Sequence, residues 1–511
     1  MWNPLGKIEG KPLLLLITVA ASSGFILFGY DNAVFGGIIV LPWFLEQYHH
    51  PGSDILGTVS SLYNVGCAGG SILAFFFGGQ LGRRKSILSG SAIAAVGVVI
   101  QCTSEKLSQL LVGRIVTGVG VGVLTSTVGL WQAETTPPRI RGMFMCLELM
   151  LGGCGLVIAF YTNYGFHNDT SRTAFVFPLA LQIVFIAIIG VLVAMLPESP
   201  HWLFKNDRPE EALQVILRLE GHGATRDHPR VRQQLLEISE ARQLEGTEGG
   251  FFTGIFVNGP TQNFKRICFG TGIMVMHQLN GINSVTYYVP TLVTTFIHAS
   301  HSTALWVSGL FGVVCVVFCI PPVLWVDKVG RRPFLWIGSV GQCICFAIIA
   351  ALFATAPKGG SSTYGIVTLA FLFLYYAINI TSWFPITWLY PAELMPLKIR
   401  EKGMGIAVFF YWMFQFMIVE VTPIALTNIS YRFYIILCIF NAVIAAIVFF
   451  LYPETKLKSL EEIDFFFAKT EIPVDIDKTG IEGEMAPKRY AEIHLEDVRP
   501  GSEPAASAAT S

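Results

Sequence analysis

Glu134-Thr-Thr-Pro-Pro-Arg-Ile-Arg141 and Glu393-Leu-Met-Pro-Leu-Lys-Ile-Arg400 spell one pattern twice, E-x-x-P-x-(R/K)-x-R, 259 residues apart. Two more landmarks recur in the same order. Gly82-Arg83-Arg84 is echoed by Gly330-Arg331-Arg332 at 248 residues, and Pro197-Glu198-Ser199 by Pro453-Glu454-Thr455 at 256. Three landmarks at nearly one offset imply a duplicated unit. In a membrane protein, a parallel repeat of this kind points to transport through a site between the copies.

Composition supplies the membrane. Hydrophobic residues make up 53 % of the 511 and charged residues only 14 %, against roughly 25 % charged in an ordinary soluble domain. So little charge cannot cover a chain of this length in water, and lipid must solvate much of its surface. The net charge of −1 lacks the basic excess of a nucleic-acid binder. All ten cysteines lie in apolar stretches, and Cys343-x-Cys345 has no neighbouring His or Cys cluster. They read as small buried hydrophobes, with neither a disulfide framework nor a metal site. The N-terminal apolar run from Leu13 to about Phe44 is too long for the core of a cleavable signal. No Walker loop is present, so an ATP-driven pump is disfavoured; neither catalysis nor a cofactor is expected.

A helix needs roughly 20 apolar residues to cross the hydrocarbon core. Twelve segments qualify, at about 13–44, 55–78, 86–103, 107–131, 142–163, 174–196, 267–292, 303–326, 333–355, 364–390, 403–426 and 432–452. The first is long enough to tilt or kink near Gly29 and Gly36-Gly37. The repeated landmarks share one face, which requires an even number of crossings between copies; six plus six fits. The expected organisation is a short N-terminus (1–12), a six-helix half (13–196), a polar linker (197–266), a second half (267–452) and a largely disordered tail (453–511). In the linker, Asp207-Arg-Pro-Glu-Glu reads as an N-cap, a proline near the helix start and early acids. A second candidate helix lies near 231–242.

Short loops on the side of both termini carry eleven basic residues (Arg83, Arg84, Lys85, Arg139, Arg141, Lys328, Arg331, Arg332, Lys398, Arg400 and Lys402). The opposite loops carry four: Lys106, Arg172, Lys358 and Arg432. That bias places both termini in the cytoplasm. The sequons Asn168-Asp-Thr170 and Asn428-Ile-Ser430 then face outward, where glycosylation can occur, whereas Asn379-Ile-Thr381 falls within an apolar span.

The chain resembles the sugar porters of the major facilitator superfamily, fungal members in particular. The likeness rests on Phe28-Gly-Tyr-Asp31, on Gly113-Arg114 with Gly118, Gly120 and Gly122, and on Pro137-Pro-Arg-Ile-Arg-Gly142. It continues with Pro197-Glu-Ser-Pro200, Gln278-x4-Asn283, Tyr287-Tyr288, Asp327-Lys-Val-Gly-Arg-Arg332, Trp388-x4-Glu393 and Pro453-Glu-Thr-Lys456. The resemblance covers about 13–465 and implies an all-α membrane protein of the major facilitator fold, with two parallel six-helix repeats rocking about a central sugar site. The glycines read as close-packing positions between helices in lipid.

The same resemblance assigns roles. Asp31 and Arg114 match the proton-coupling pair of symporters; a permanent structural pair is the competing reading, since buried ions need partners. Gln278, Asn283 and Trp388 match sugar contacts, and His277, Tyr288 and Trp412 lie beside them. Gln278 and Asn283 are five residues apart, about 140° round a helix, so they share a face only if the helix breaks; Gly281 stands between them. His277 replaces the first Gln of the family pair, Cys315 an Asn, Phe384 the Gly of Trp-Gly-Pro, and Tyr411 the Asn before Trp412. These changes remove amides or add bulk, so another sugar, a polyol or a less hydroxylated molecule fits as well as glucose. His277 reads either as a pH-sensitive contact or as a neutral core residue. Glu148 reads as a cavity ligand or a protonated structural group, and Glu420 as an acid at the outer membrane edge. Arg83, Arg84, Glu134 and Arg141, with Arg331, Arg332, Glu393 and Arg400, match a cytoplasmic gate. The first copy departs from the family there, with Gly79-Gln80-Leu81 where an Asp is usual, while Asp327-Lys328 keeps the second.

The expected function is import of a sugar or polyol by proton symport at the plasma membrane, with solute, protons and lipid as partners. Passive facilitation is one alternative. A non-transporting sugar sensor is another, disfavoured by a tail of only 59 residues after Tyr452.

Overall fold

A computed structural model describes residues 8–39, 41–221, 223–235, 262–297, 300–355, 362–396 and 399–456, with the single positions 238, 458, 463 and 467. Two compact units divide the chain, Met1–Ala468 and Lys469–Ser511; the second lies wholly outside the described residues, as does most of the expected tail.

Helices cross the membrane twelve times. The first six spans are Lys11–Ile38, the two arms of Ser53–Cys102, Leu107–Thr135, Pro138–Gly165, and Arg172–Ala180 continued by Gln182–Met195. The seventh is in three pieces, Asn263–Leu279, Ile282–Thr286 and Val289–Ile297. Then follow His301–Phe318 with Ile320–Val329, Arg331–Thr355, Ser362–Ser382 with Phe384–Leu394, Arg400–Asn428 and Arg432–Leu451. The first helix, with 28 residues, rises about 42 Å, enough to cross a core of about 30 Å with tilt to spare. Large apolar side chains such as Val191, Trp325, Ile344 and Phe450 remain exposed, as a lipid-facing surface requires.

The duplication is visible in how the helices turn. Gly82 and Gly330 adopt φ of 81° and 105° and end the second and eighth spans at matching positions, a left-handed conformation that only glycine takes without strain. The next span begins immediately in each case. Glu198 accepts the amides of Arg83 and Arg84 at 3.0 and 3.2 Å, and Glu454 those of Arg331 and Arg332 at 2.9 and 3.0 Å. Each acid satisfies amides that a helix start leaves unpaired.

Spans two, three and four pack through bare glycine. A Cβ on Gly118 would lie 2.3 Å from the Tyr63 carbonyl oxygen, and one on Gly122 2.1 Å from that of Cys67. No side chain fits, so backbones touch where lipid offers no hydrophobic drive. Span two lies against span eleven and span five against span eight, so the seam between the copies surrounds the molecular centre.

Several expectations need correction. The first span ends at Ile38 and a separate helix, Pro42–Gln47, follows, because Leu41 is extended ahead of Pro42. Gly29 marks no kink; it is a contact point, with Gly152 O 2.1 Å from where a Cβ would sit. In the linker, Asp207 has φ of 58° and the N-cap position falls to Arg208; the helix is Pro209–Glu220, preceded by a short Pro200–Lys205 whose start Ser199 caps. Residues 229–235 are helical, and the rest of the candidate at 231–242 falls mainly outside the described residues.

Candidate functional site

The break in the seventh span creates the central site. Gly281, at φ 96°, separates two helical pieces, so Asn283 turns back onto Gln278. Asn283 Nδ2 donates to Gln278 Oε1 at 2.5 Å, and Gln278 Nε2 donates to Gln415 Oε1 at 3.4 Å. Gln415 Nε2 in turn reaches Asn32 Oδ1 at 3.2 Å and the Tyr287 hydroxyl at 3.1 Å, while Tyr287 donates to Asn32 at 2.6 Å. This chain of buried amides joins spans seven and eleven to span one of the other copy.

A small cavity lies beside it, lined among others by Phe28, Asn32, Leu156, His277, Asn283 and Tyr411. Trp388 and Trp412 are not on its lining; they pack behind the lining rings of Phe28 and Tyr411. Trp388 meets Phe25, Phe28 and Tyr411 with ring centroids 5.5, 5.9 and 4.9 Å away. Trp412 meets Phe28 at 5.5 Å and Tyr63 at 6.0 Å. Tyr288 does not join this set. Its hydroxyl donates to Val419 O at 2.8 Å, while Tyr287, about 100° round the helix, points to the centre. Glu148 is buried in span five, and its Oε1 has no hydrogen-bond partner among the described residues.

Next to Asn32, Asp31 Oδ1 lies 3.9 Å from Arg114 Nη1, both side chains fully buried. Neither Asp31 oxygen forms a hydrogen bond among the described residues. Arg114 instead donates to the carbonyls of Val59 and Ser60 at 3.2 and 3.1 Å and lies over the rings of Phe35 and Tyr63. The pair is in Coulomb contact without being clamped.

The linker-side ion pairs are clamped. Arg83 makes two bonds to Glu134, at 2.6 and 2.8 Å, and Ser199 Oγ donates to the same acid at 2.5 Å. The second copy repeats this with Arg331 to Glu393 at 2.6 and 3.2 Å and Thr455 to Glu393 at 2.7 Å. Arg400 crosses the seam, its Nη1 3.5 Å from Glu134 Oε1, and Asp327 Oδ2 accepts the Met143 amide at 2.9 Å. Arg141 is buried nearby and donates to Ala133 O at 3.0 Å. Arg84 and Arg332 lie apart from the cluster. Each follows its partner by one residue and so turns outward, donating to the last carbonyls of the sixth span (Val193, Ala194) and the twelfth (Phe449). Gly79, 248 positions before Asp327, contributes only its carbonyl, to the Trp202 indole at 2.8 Å, so the first copy lacks the cross-seam acid. On the opposite side, Ser61 donates to Glu420 at 2.8 Å; that acid is engaged across the same seam.

The family model described as sugar (and other) transporter matches residues 16–467. The chain belongs to that family. It is 34 % identical over 503 residues to the MFS-type transporter oryC of Aspergillus oryzae, covering 97 % of this chain and 93 % of the relative. It is 30 % identical over 478 residues to the sugar transporter STL1 of Saccharomyces cerevisiae, covering 90 % and 82 %. Among solved structures, the proton:xylose symporter XylE bound to 6-bromo-6-deoxy-D-glucose superposes with a TM-score of 0.78 at 25 % identity, over 90 % of this chain and 100 % of that one. The major facilitator reading of the sequence is thereby established, and this family member is an integral multi-pass transporter.

The sequence of this sugar (and other) transporter points to neither Gln415 nor Asn32 as site residues, and its Tyr287-Tyr288 motif gives the site role to Tyr288 instead of Tyr287. A signal existed for each: Gln415 lies three residues after Trp412 on one helix face, Asn32 adjoins Asp31, and Tyr287 is the other half of the Tyr287-Tyr288 motif. Glu198 and Glu454 were already marked by the repeat, yet their capping role needed the fold.

Proposed function

We propose that this transporter carries a small neutral polyhydroxylated solute, a sugar or a polyol, into the cell by alternating access coupled to protons, at the plasma membrane and with both termini cytoplasmic. The observation that carries the reading is the buried chain Asn283–Gln278–Gln415–Asn32, which ties both copies together and ends one residue from Asp31. Solute hydroxyls replace the amides' mutual bonds, since amides and hydroxyls exchange as donors and acceptors. The proton enters at Asp31. Neutralising that carboxylate removes its attraction for Arg114, whose hydrogen bonds go to span two, so span one is held to Arg114 only through the Phe35 ring, loosens relative to spans two and four and carries Asn32 with it.

The geometry favours coupling over a permanent structural pair. A purely structural pair resembles Arg83–Glu134, with two short charge-assisted bonds; Asp31–Arg114 has none. The Glu134, Arg400, Asp327 and Met143 contacts form the cytoplasmic gate in this reading. They hold one side shut and break when the halves rock. Gln278, Asn283, Trp388, Trp412 and His277 contact solute, with Tyr287 and Gln415 replacing Tyr288.

Asp31→Asn is the test. Reconstituted wild-type protein should alkalinise the external medium when solute is added, and Asp31→Asn should bind solute and perform counterflow without proton movement. Uptake by the wild type that ignores protonophores sinks the coupling and leaves facilitation. Absence of counterflow in well-folded wild type points to a sensor instead.

A further inference from the structure

The seam holds one polar contact, on the side away from the linker, that neither the proton pair nor the linker-side gate uses. Ser61 belongs to span two of the first copy and Glu420 to span eleven of the second, each about two turns inside the outer end of its helix. Ser61 is fully buried and donates to Glu420 Oε2 at 2.8 Å; the competing acceptor, Thr58 O, is farther, at 3.4 Å. Deeper in the membrane the same two spans meet where Tyr63 packs on Trp412, ring centroids 6.0 Å apart. Nearer the linker side they meet again, where a Cβ on Gly405 would lie 2.8 Å from Phe75 Cβ. Spans two and eleven therefore touch at both ends of the seam, and the outer contact is the polar one.

That contact sits one peptide unit from the proton pair. Arg114 donates to Val59 O at 3.2 Å and to Ser60 O at 3.1 Å, while its Nη1 faces Asp31 Oδ1 at 3.9 Å. The Ser60 carbonyl and the Ser61 amide share one planar peptide, so whatever holds that oxygen also holds Ser61. An ionised Asp31 draws the guanidinium away from the two carbonyls, and a neutral Asp31 leaves them as its acceptors. The Ser61 hydroxyl has a single proton to give, and its aim at Glu420 follows the peptide that Arg114 holds.

We propose that Glu420 is a positioning residue of the transport cycle: with Ser61 it latches the outer side of the seam, and Arg114 sets that latch according to the charge on Asp31. Neutral Asp31 lets Arg114 fix the Ser60–Ser61 peptide, and the outer side closes. Ionised Asp31 slackens the peptide, and spans two and eleven part there. The proposal rests on proton coupling at Asp31 and adds the route by which the second copy feels that proton. Protonation then precedes outer closure.

The test uses the full chain in lipid nanodiscs, with spin labels on the exposed positions Lys106 and Arg432, one on each copy, read by pulsed electron resonance. A hydrogen bond to a charged acceptor biases a two-state equilibrium by roughly ten- to a hundred-fold. Glu420 is partly exposed, which weakens the bond, so Glu420→Ala should raise the long-distance population by at least about fivefold. Glu420→Gln keeps an acceptor for Ser61 and should return the population to near the wild-type value. Ser61→Ala should match Glu420→Ala and serves if that variant does not fold. Asp31→Asn should lower the same population by at least about threefold, and this shift should vanish when Glu420→Ala or Ser61→Ala is added, a dependence that a merely structural contact does not produce. Unchanged distances in the folded latch variants, no rescue by Glu420→Gln, or an Asp31→Asn shift that is absent or survives loss of the latch overturns this inference. Wild-type vesicles that still alkalinise the medium on solute addition then keep the coupling reading; vesicles that do not alkalinise it overturn both.

Discussion

Arg400→Gln tests the gate with a magnitude set by the geometry. Arg400 Nη1 lies 3.5 Å from Glu134 Oε1 across the seam, both side chains buried. Two unit charges at that separation interact by about 5 kcal/mol at an effective dielectric of about 20. The net loss is smaller, because Glu134 keeps two bonds from Arg83 and one from Ser199 and is not left as an orphan charge. Gln also retains a donor for the Met395 carbonyl, which Arg400 Nε holds at 2.9 Å. A net loss of about 1–2 kcal/mol remains, which shifts the equilibrium toward the linker-side-open form by about 5- to 30-fold. Spin labels on the exposed positions Lys85 and Lys328, one on each copy, read that equilibrium by pulsed electron resonance. The long-distance population should rise by that factor in Arg400→Gln and fall back in Arg400→Lys. An unchanged distance distribution in folded Arg400→Gln would falsify the assignment of this pair to the gate.

Other outcomes follow from the same structure. Gln278→Ala leaves Asn283 Nδ2 without its acceptor and Gln415 Oε1 without its donor; solute affinity should drop about 5- to 100-fold with surface expression intact, and normal uptake would displace the site. Gly122→Val places a Cβ 2.1 Å from the Cys67 carbonyl and should destabilise the first copy by at least about 1–3 kcal/mol, read as an earlier loss of the monodisperse peak on heating; an unaltered melting point contradicts the close backbone contact. Asn168 and Asn428 are exposed on the side away from the linker, whereas Asn379 is fully buried. In a glycosylating host, removing the first two sequons should abolish glycosidase-sensitive mass and Asn379→Gln should not; modification of a sequon placed in the linker instead reverses the orientation.

Much of the fold was legible because lipid imposes a simple rule: backbone polar groups must be satisfied within each apolar segment, so long apolar runs become helices. Twelve runs and three repeated landmarks therefore led to twelve spans in two copies. The interruptions were harder. Gly281 stands between Gln278 and Asn283 in the sequence, but only its left-handed φ brings Asn283 back to Gln278. The boundary at Ile38 and the N-cap position at Arg208 follow from local backbone conformations that a periodic pattern does not encode.

Charge type indicated which residues belong to the linker-side cluster, but not which neighbour faces inward. Arg83 and Arg331 bind the buried acids while Arg84 and Arg332 cap helix ends, a distinction made by one residue of helical rotation after a glycine turn. Likewise Tyr287 rather than Tyr288 enters the central network.

By itself the sequence determined that this chain lives in lipid, is built from two like halves and carries its few buried charges at matching places, because composition and repetition are properties of one dimension. Only the tertiary structure decided which amides satisfy each other and that Asp31 and Arg114 touch without being locked. Those facts depend on distances between spans hundreds of residues apart, and hydrogen bonding discriminates over tenths of an ångström.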